Sequence, residues 1–308
     1  MPTEPPRLPA AGAVGTLAMA DGTPVRTFLL PHAVPLARLL LLNGRADFFE
    51  KWARLFAELH DLGFALAAFD WRGQGRSGGK PANGAGHISS FDLWLDDLDR
   101  LVPWACAALG GEVLLLAHSM GGHLALRWLA DGRGRVPALV LTAPFCGFAL
   151  PRPVMAVLAA LARRQVRRGR AEAYAPGQKP WGAHRMDRAR ATILTSDTGR
   201  FAEEGSAVEA DPALAVGGVS WGWIAAAETS LARLHAAPLE RLATPTLMLL
   251  AERERLVSNR AARAVAARLP ACTAETVPGA AHEILREADA PRRFALSRIR
   301  AFAARHAP

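Results

Sequence analysis

Cysteine is scarce in this chain of 308 residues, and the three present, Cys106, Cys146 and Cys272, are odd in number. A disulfide framework is therefore excluded, and the thiols read as small buried hydrophobes in a reducing compartment. Long hydrophobic runs are also lacking. One of the longest uncharged stretches, Pro212 to Ala227, is interrupted by glycines and serine and falls short of the roughly 20 apolar residues that a bilayer span requires. The opening MPTEPPRLPAAGAVG has no basic start followed by an apolar run, so no secretory signal is expected and the cytoplasm is the expected location. No internal repeat is visible. With 51% hydrophobic and 21% charged residues, the composition is that of a folded globular protein and not a disordered one.

The formal charge of +9 is carried almost wholly by arginine. Such a charge suits nucleic acid, anionic lipid or an acidic partner. No zinc-knuckle spacing, basic tail or aromatic-interleaved basic strand accompanies it, so nucleic acid is not expected.

What the chain does have is an alternation of short apolar runs with amphipathic helical stretches. The runs are ARLLLLN ending at Asn43, FALAAFD ending at Asp70, VLLLAHS ending at Ser119, ALVLTAP ending at Pro144 and PTLMLLAE ending at Glu252, with a shorter CTAETVPG from Cys272. Strands separated by helices predict an α/β fold: a mostly parallel sheet covered on both faces, with ligands beyond the carboxyl ends of the strands. The preceding GTLAMADGTPVRTFLLP predicts two antiparallel strands joined at Asp21-Gly22. The rhythm breaks between about Gly147 and Leu234, a stretch too long for a connection and too apolar for a disordered linker. It predicts a largely helical inserted cap at 147–234, dividing a core of 1–146 and 235–308.

AHSMG at Ala117 fits the GxSxG nucleophile elbow with alanine in place of the first glycine. In such an elbow a serine on a strained strand-to-helix turn is flanked by small residues, here Ala117 and Gly121, so that strand and helix pass closely. The turn aims the N–H of Met120 at a developing oxyanion. The plain alternative is a buried strand followed by a helix N-terminus that binds phosphate. On this fold the acid and then the histidine follow the serine in the chain. Glu254, in AERERLVSN after the fifth run, and His282, in VPGAAHEIL after the last, occupy those places, with Glu252 the second candidate for the acid. A second oxyanion donor is expected in the loop after Leu42, where Asn43-Gly44 leads to the N–H of Arg45. His118 is expected to pack beneath the elbow, facing away from the cleft. Asp70, Arg72 and Arg76 in DWRGQGRS are read as a structural network.

These motifs together, NGRADFFEKW, FDWRGQGRSGG, AHSMGG, TAPF, ERERLV and PGAAHE, resemble the α/β-hydrolase branch of bacterial lysophospholipases and monoacylglycerol lipases, nearly end to end. YAPG at Tyr174, LTSD at Leu194 and GVSWGW ending at Trp223 resemble pieces of that family's cap. The resemblance implies a serine hydrolase of single-chain lipid esters that needs neither metal nor cofactor, with Tyr174, Trp221 and Trp223 as candidate substrate contacts. Two departures stand out: Asn43 replaces a histidine frequent before the glycine, and Glu254 stands where aspartate is usual. Short-chain esterases, thioesterases and acyltransferases share the triad, and a noncatalytic ligand-binding protein of this fold remains a further reading. Within the insertion, the run VMAVLAALA from Val154 is followed by Arg163, Arg164, Arg167, Arg168 and Arg170. That pattern suits weak peripheral contact with an anionic membrane surface, or a helix that packs its apolar side on the core and leaves its arginines in water.

Overall fold

The computed structural model describes residues 4–308. Strands β1 (Ala13–Ala18) and β2 (Pro24–Leu30) form the expected antiparallel hairpin. Gly22, at φ +82°, closes its turn in a backbone region that residues with a Cβ disfavour. Then follow β3 (Ala37–Leu42), β4 (Phe64–Phe69), β5 (Leu114–His118), β6 (Leu139–Thr142), β7 (Thr246–Ala251) and β8 (Cys272–Val277). The sheet order is β1-β2-β4-β3-β5-β6-β7-β8, antiparallel as far as the β2–β4 pair and parallel beyond it.

The apolar runs become strands buried on both faces because successive side chains point to opposite sides of the sheet. On one side Leu39, Leu41, Leu114, Leu116, Leu247 and Leu249 meet α1 (Ala53–Asp61) and α9 (Asp289–His306), through residues such as Phe56, Ile299 and Phe302. On the other, Leu40, Leu42, Leu115, Met248 and Leu250 meet α2 (Asp92–Leu109), α3 (Met120–Ala130) and α8 (Asn259–Ala266), through Leu98, Leu124 and Val265. The edge strand β8 has exposed positions at Thr273 and Ala274, which is why its sequence carries no continuous apolar run.

Between β6 and β7 the chain forms α4 (Arg152–Arg167), α5 (Arg188–Leu194), α6 (Thr198–Ala210) and α7 (Trp221–Ala236). The last of these runs through residue 234, where the sequence places the end of the insertion. Its Ala227, Leu231 and Leu234 belong to the apolar cluster that also holds α3. Buried Ser230 fixes the pairing: its hydroxyl lies 2.7 Å from His123 Nε2 and 2.8 Å from Arg127 Nη1.

Candidate active site

Ser119 is the one residue between β5 and α3, and its φ of +52° lies where non-glycine residues are rare. Its N–H donates to the Thr142 carbonyl (3.0 Å), and its carbonyl accepts from the Phe145 N–H (2.9 Å), so β6 and its following loop hold the turn. The helix passes so close to β3 that a Cβ on Gly121 would lie 2.2 Å from the Leu42 carbonyl oxygen, a backbone atom that cannot yield. That approach explains why the second small residue of the motif is glycine.

The loops leaving β7 and β8 bring Glu254 and His282 to the same end of the sheet. His282 Nε2 lies 2.9 Å from Ser119 Oγ, and His282 Nδ1 lies 2.8 Å from Glu254 Oε2. A carboxylate accepts, so Nδ1 carries the proton and Nε2 is left to accept from the serine hydroxyl. Glu254 Oε1 in turn accepts from the N–H groups of Leu256 (2.8 Å) and Val257 (3.1 Å). Burial works to raise the Glu254 pKa, but His282 and these two amides outweigh it and hold the carboxyl below its ordinary value. The added methylene of glutamate is thus accommodated by a loop that clamps its second oxygen. Glu252 is exposed, and its Oε2 accepts from the Gly279 N–H (2.8 Å), away from the histidine.

Met120 opens α3, so its N–H has no carbonyl one turn earlier in the helix to reach. The loop carrying Arg45 lies alongside: a Cβ on Gly44 would stand 3.4 Å from Ser119 Cβ. Asn43, in the place of the frequent histidine, donates from its side-chain amide to the Phe69 carbonyl (3.0 Å), and its main-chain carbonyl accepts from Trp71 Nε1 (2.9 Å). Gln74 Nε2 donates to the Gly44 carbonyl (3.2 Å) and Gln74 Oε1 accepts from the Ala46 N–H. The loop after β4 therefore clamps the loop after β3 on both sides of Arg45. Asp70 supports the same pair of loops by accepting from the N–H groups of Phe49 and Arg76, both at 2.9 Å. Arg72 bridges Asp97 and Asp21, and Arg76 pairs with Asp211 of the insertion.

His118 departs from expectation in one respect. It is buried as anticipated, but its ring packs against His282 (5.0 Å between centroids) and edge-on to Trp52. Its Nδ1 lies 3.2 Å from the Thr142 carbonyl oxygen and so carries a proton. Burial, reinforced by His282, pushes its pKa down to about 3, so the ring is a neutral wall beside the candidate base.

A buried charged cluster with little local signature in the sequence lies behind this wall. The buried Lys51 ammonium touches Asp47 (2.7 Å), Glu283 (2.6 Å) and Glu204 of α6 (3.1 Å). Arg286 pairs with the other oxygen of Glu283 (2.6 Å), and Asp47 Oδ2 accepts from the Gly44 N–H (2.8 Å). Burial opposes the charge on Lys51, but its three carboxylate neighbours outweigh this and hold its pKa above the ordinary value. The only local signal was the i,i+4 spacing of Asp47 and Lys51 inside an apolar segment.

Ser119 and His282 open onto a cavity of about 490 Å³, within the usual range of roughly 300–1,000 Å³ for small-molecule sites. Phe145, Phe148, Leu150, Met155, Leu158 and Trp223 supply much of its apolar lining. Of the three candidate substrate contacts only Trp223 lines it. Trp221, two positions earlier on α7, is buried but does not reach the cavity. The Tyr174 hydroxyl donates to the Asn83 carbonyl (2.8 Å), so this ring ties the insertion to the loop after β4.

Comparison with known proteins agrees with this architecture. Residues 33–289 match the family described as Serine aminopeptidase, S33. The lysophospholipase L2 of Escherichia coli is 32% identical over 302 residues, covering 93% of this chain and 86% of that protein. A probable lysophospholipase L2 of Haemophilus influenzae is 28% identical over 278 residues, covering 90% and 87%. Among solved structures, a soluble variant of monoglyceride lipase from Saccharomyces cerevisiae, in complex with a substrate analog, superposes with a TM-score of 0.79 over 99% of both chains at 19% identity, a likeness of fold. With the family matched over most of its length, the chain belongs to the Serine aminopeptidase, S33 family of α/β-hydrolases and is a serine hydrolase.

Proposed function

We propose that the protein hydrolyses carboxylic esters of single-chain lipids, lysophospholipids or monoacylglycerols, through an acyl-enzyme. The observation that carries this reading is the hydrogen-bonded relay Ser119–His282–Glu254 at the wall of a largely apolar cavity. The lysophospholipase relatives, aligned over nearly the whole chain, support the substrate class. In this mechanism Ser119 Oγ attacks the ester carbonyl as His282 Nε2 takes its proton. The N–H groups of Met120 and Arg45 stabilise the tetrahedral oxyanion. His282 then passes the proton to the leaving alcohol, and water, deprotonated by the same histidine, releases the fatty acid. Glu254 holds the productive tautomer and stabilises the imidazolium. Residues 147–234 serve as the cap over the acyl chain.

The test is labelling with a fluorophosphonate probe followed by a substrate series: lysophospholipids, monoacylglycerols and nitrophenyl esters of increasing chain length. Wild type is expected to label and Ser119→Ala is not, with turnover falling by about 10⁶-fold in the variant. Preference for short acyl chains would replace the lipid reading with that of a short-chain esterase. Failure of wild type to label would remove the enzymatic reading altogether.

The cap is also proposed to rest on anionic membrane surfaces. Val154, Val157 and Leu161 leave an exposed apolar stripe on α4, next to exposed Leu150 at the cavity, and arginines flank it. No helix among the described residues is long and apolar enough to cross a membrane, so contact through this stripe would be peripheral.

A further inference from the structure

The cavity has a cationic lining as well as an apolar one, and its cations come from three segments tied to the catalytic residues. Arg45 follows Gly44, which lies against Ser119. Arg255 directly follows Glu254. Arg190 stands one helical turn before Leu194 on α5, and the Leu194 carbonyl accepts from the Glu283 N–H (2.7 Å), beside His282. All three line the cavity together with Gln178. The other charged residues of the lining, Asp47, Lys51 and Glu283, are committed to one another. With Arg286 and Glu204 they make a cluster that carries one net negative charge, so they do not supply a cation to a ligand.

Two of the three guanidiniums, those of Arg190 and Arg255, are not committed in this way. Neither Arg190 nor Arg255 has an ion-pair partner among the described residues, and Arg190 Nε is buried with no acceptor. A buried donor without an acceptor is costly unless a ligand satisfies it. The Arg45 guanidinium donates to the Gly217 carbonyl (3.4 Å) and lies 6.0 Å from the Trp223 ring, which orients it within the pocket. Planar forked donors of this kind match the oxygens of a phosphate.

Resting on the lipid-ester reading above, we infer that Arg190, Arg255 and Arg45 form an anion subsite for the phosphate of a lysophospholipid head group, so that the protein selects phosphate-bearing single-chain lipids over neutral monoacylglycerols. The acyl chain takes the apolar lining from α4 and α7. The head group, a few bonds from the ester carbonyl, then falls among the segments that hold the triad.

The test uses binding, so that it does not depend on turnover. Ser119→Ala protein is titrated with lysophosphatidylglycerol and with a monoacylglycerol of the same chain, both below their critical micelle concentrations. The phosphate lipid is expected to bind at least about tenfold tighter, a ratio within reach of one or two charged hydrogen bonds. Adding Arg190→Gln and Arg255→Gln should bring that ratio to within about twofold of unity. The corresponding pair of lysine substitutions should keep most of it, which separates loss of charge from loss of fold. Equal affinity for the two lipids, an unchanged ratio in the glutamine variant, or binding of inorganic phosphate alone without any lipid preference would overturn the inference. Absence of ester turnover in wild type, with the binding ratio intact, would instead overturn the hydrolase reading and leave the subsite standing.

Discussion

At Ser119 a non-glycine backbone is held at positive φ, a conformation that costs on the order of 1–3 kcal/mol and persists only where the surroundings over-determine it. The surroundings here are the Thr142 and Phe145 hydrogen bonds and the contact of Gly121 with the end of β3. The strain lifts the hydroxyl out of the sheet edge toward His282. Glu254 has the complementary task of fixing a ring, and its two oxygens divide the work between His282 and two backbone amides. Glu254→Gln should therefore lower kcat by about 10²- to 10⁴-fold, because an amide in that place can favour the wrong tautomer, an effect that reaches about 10⁴-fold in the serine protease template. Glu252→Gln, which touches only the Gly279 N–H at an exposed site, should lower it less than about threefold. Steady-state kinetics on one ester decides between them, and the reverse ranking would move the acid to Glu252. These residues were legible in the sequence because each sits within a few positions of a recognisable strand end. Trp221 was less so: it stands two positions before Trp223, about 200° around the helix, so the two indoles face nearly opposite ways and sequence spacing alone does not say which one meets the cavity.

Among the elements, α4 shows where periodicity reaches its limit. A helix rich in apolar residues all round has no single face that its sequence must bury. The structure divides it: Met155, Ala159 and Ala162 turn inward, while Val154, Val157 and Leu161 stay exposed. The helix thus packs one side on the protein and leaves another exposed, and the proposed membrane contact would use the exposed side. None of Arg163, Arg164, Arg167, Arg168 and Arg170 forms an ion pair among the described residues, although Glu228 lies within electrostatic reach of Arg163. Each basic residue near an anionic surface contributes about 1 kcal/mol, and the attraction decays over a Debye length of about 8–10 Å at physiological salt. Wild type should sediment with phosphatidylglycerol vesicles at low salt and release as salt rises. Changing the five arginines to glutamine should abolish most of that binding. Val157→Ser with Leu161→Ser should weaken it while leaving its salt dependence in place. Equal binding by wild type and the glutamine variant at low salt would rule out this use of α4.

At the scale of the whole molecule, Lys51 joins parts that lie far apart in the chain: the loop after β3 through Asp47, the insertion through Glu204, and the segment following His282 through Glu283. The strand order was readable from the spacing of apolar runs, but this hub was not, because three carboxylates separated by up to 236 positions converge only once the sheet and α6 are in place. Buried charges of this kind are held by mutual pairing, and removing one partner costs about 3–5 kcal/mol because the others are left uncompensated. Glu283→Gln should therefore destabilise the protein at neutral pH by an amount of that order. The pH dependence follows from the carboxyl itself. Burial acts to raise its pKa, but Lys51 and Arg286 outweigh burial and hold it far below the ordinary value. A carboxylate with a lower pKa in the folded than in the unfolded chain contributes stability that is fully present above the unfolded value, about 4.3 for glutamate, and is lost as the pH falls toward the folded value. The difference in unfolding free energy between wild type and Glu283→Gln should accordingly be largest near pH 7 and shrink below about pH 4. Urea unfolding followed at both pH values measures it, and a difference that stayed constant across that range would mean that Glu283 is not held ionised by Lys51 and Arg286.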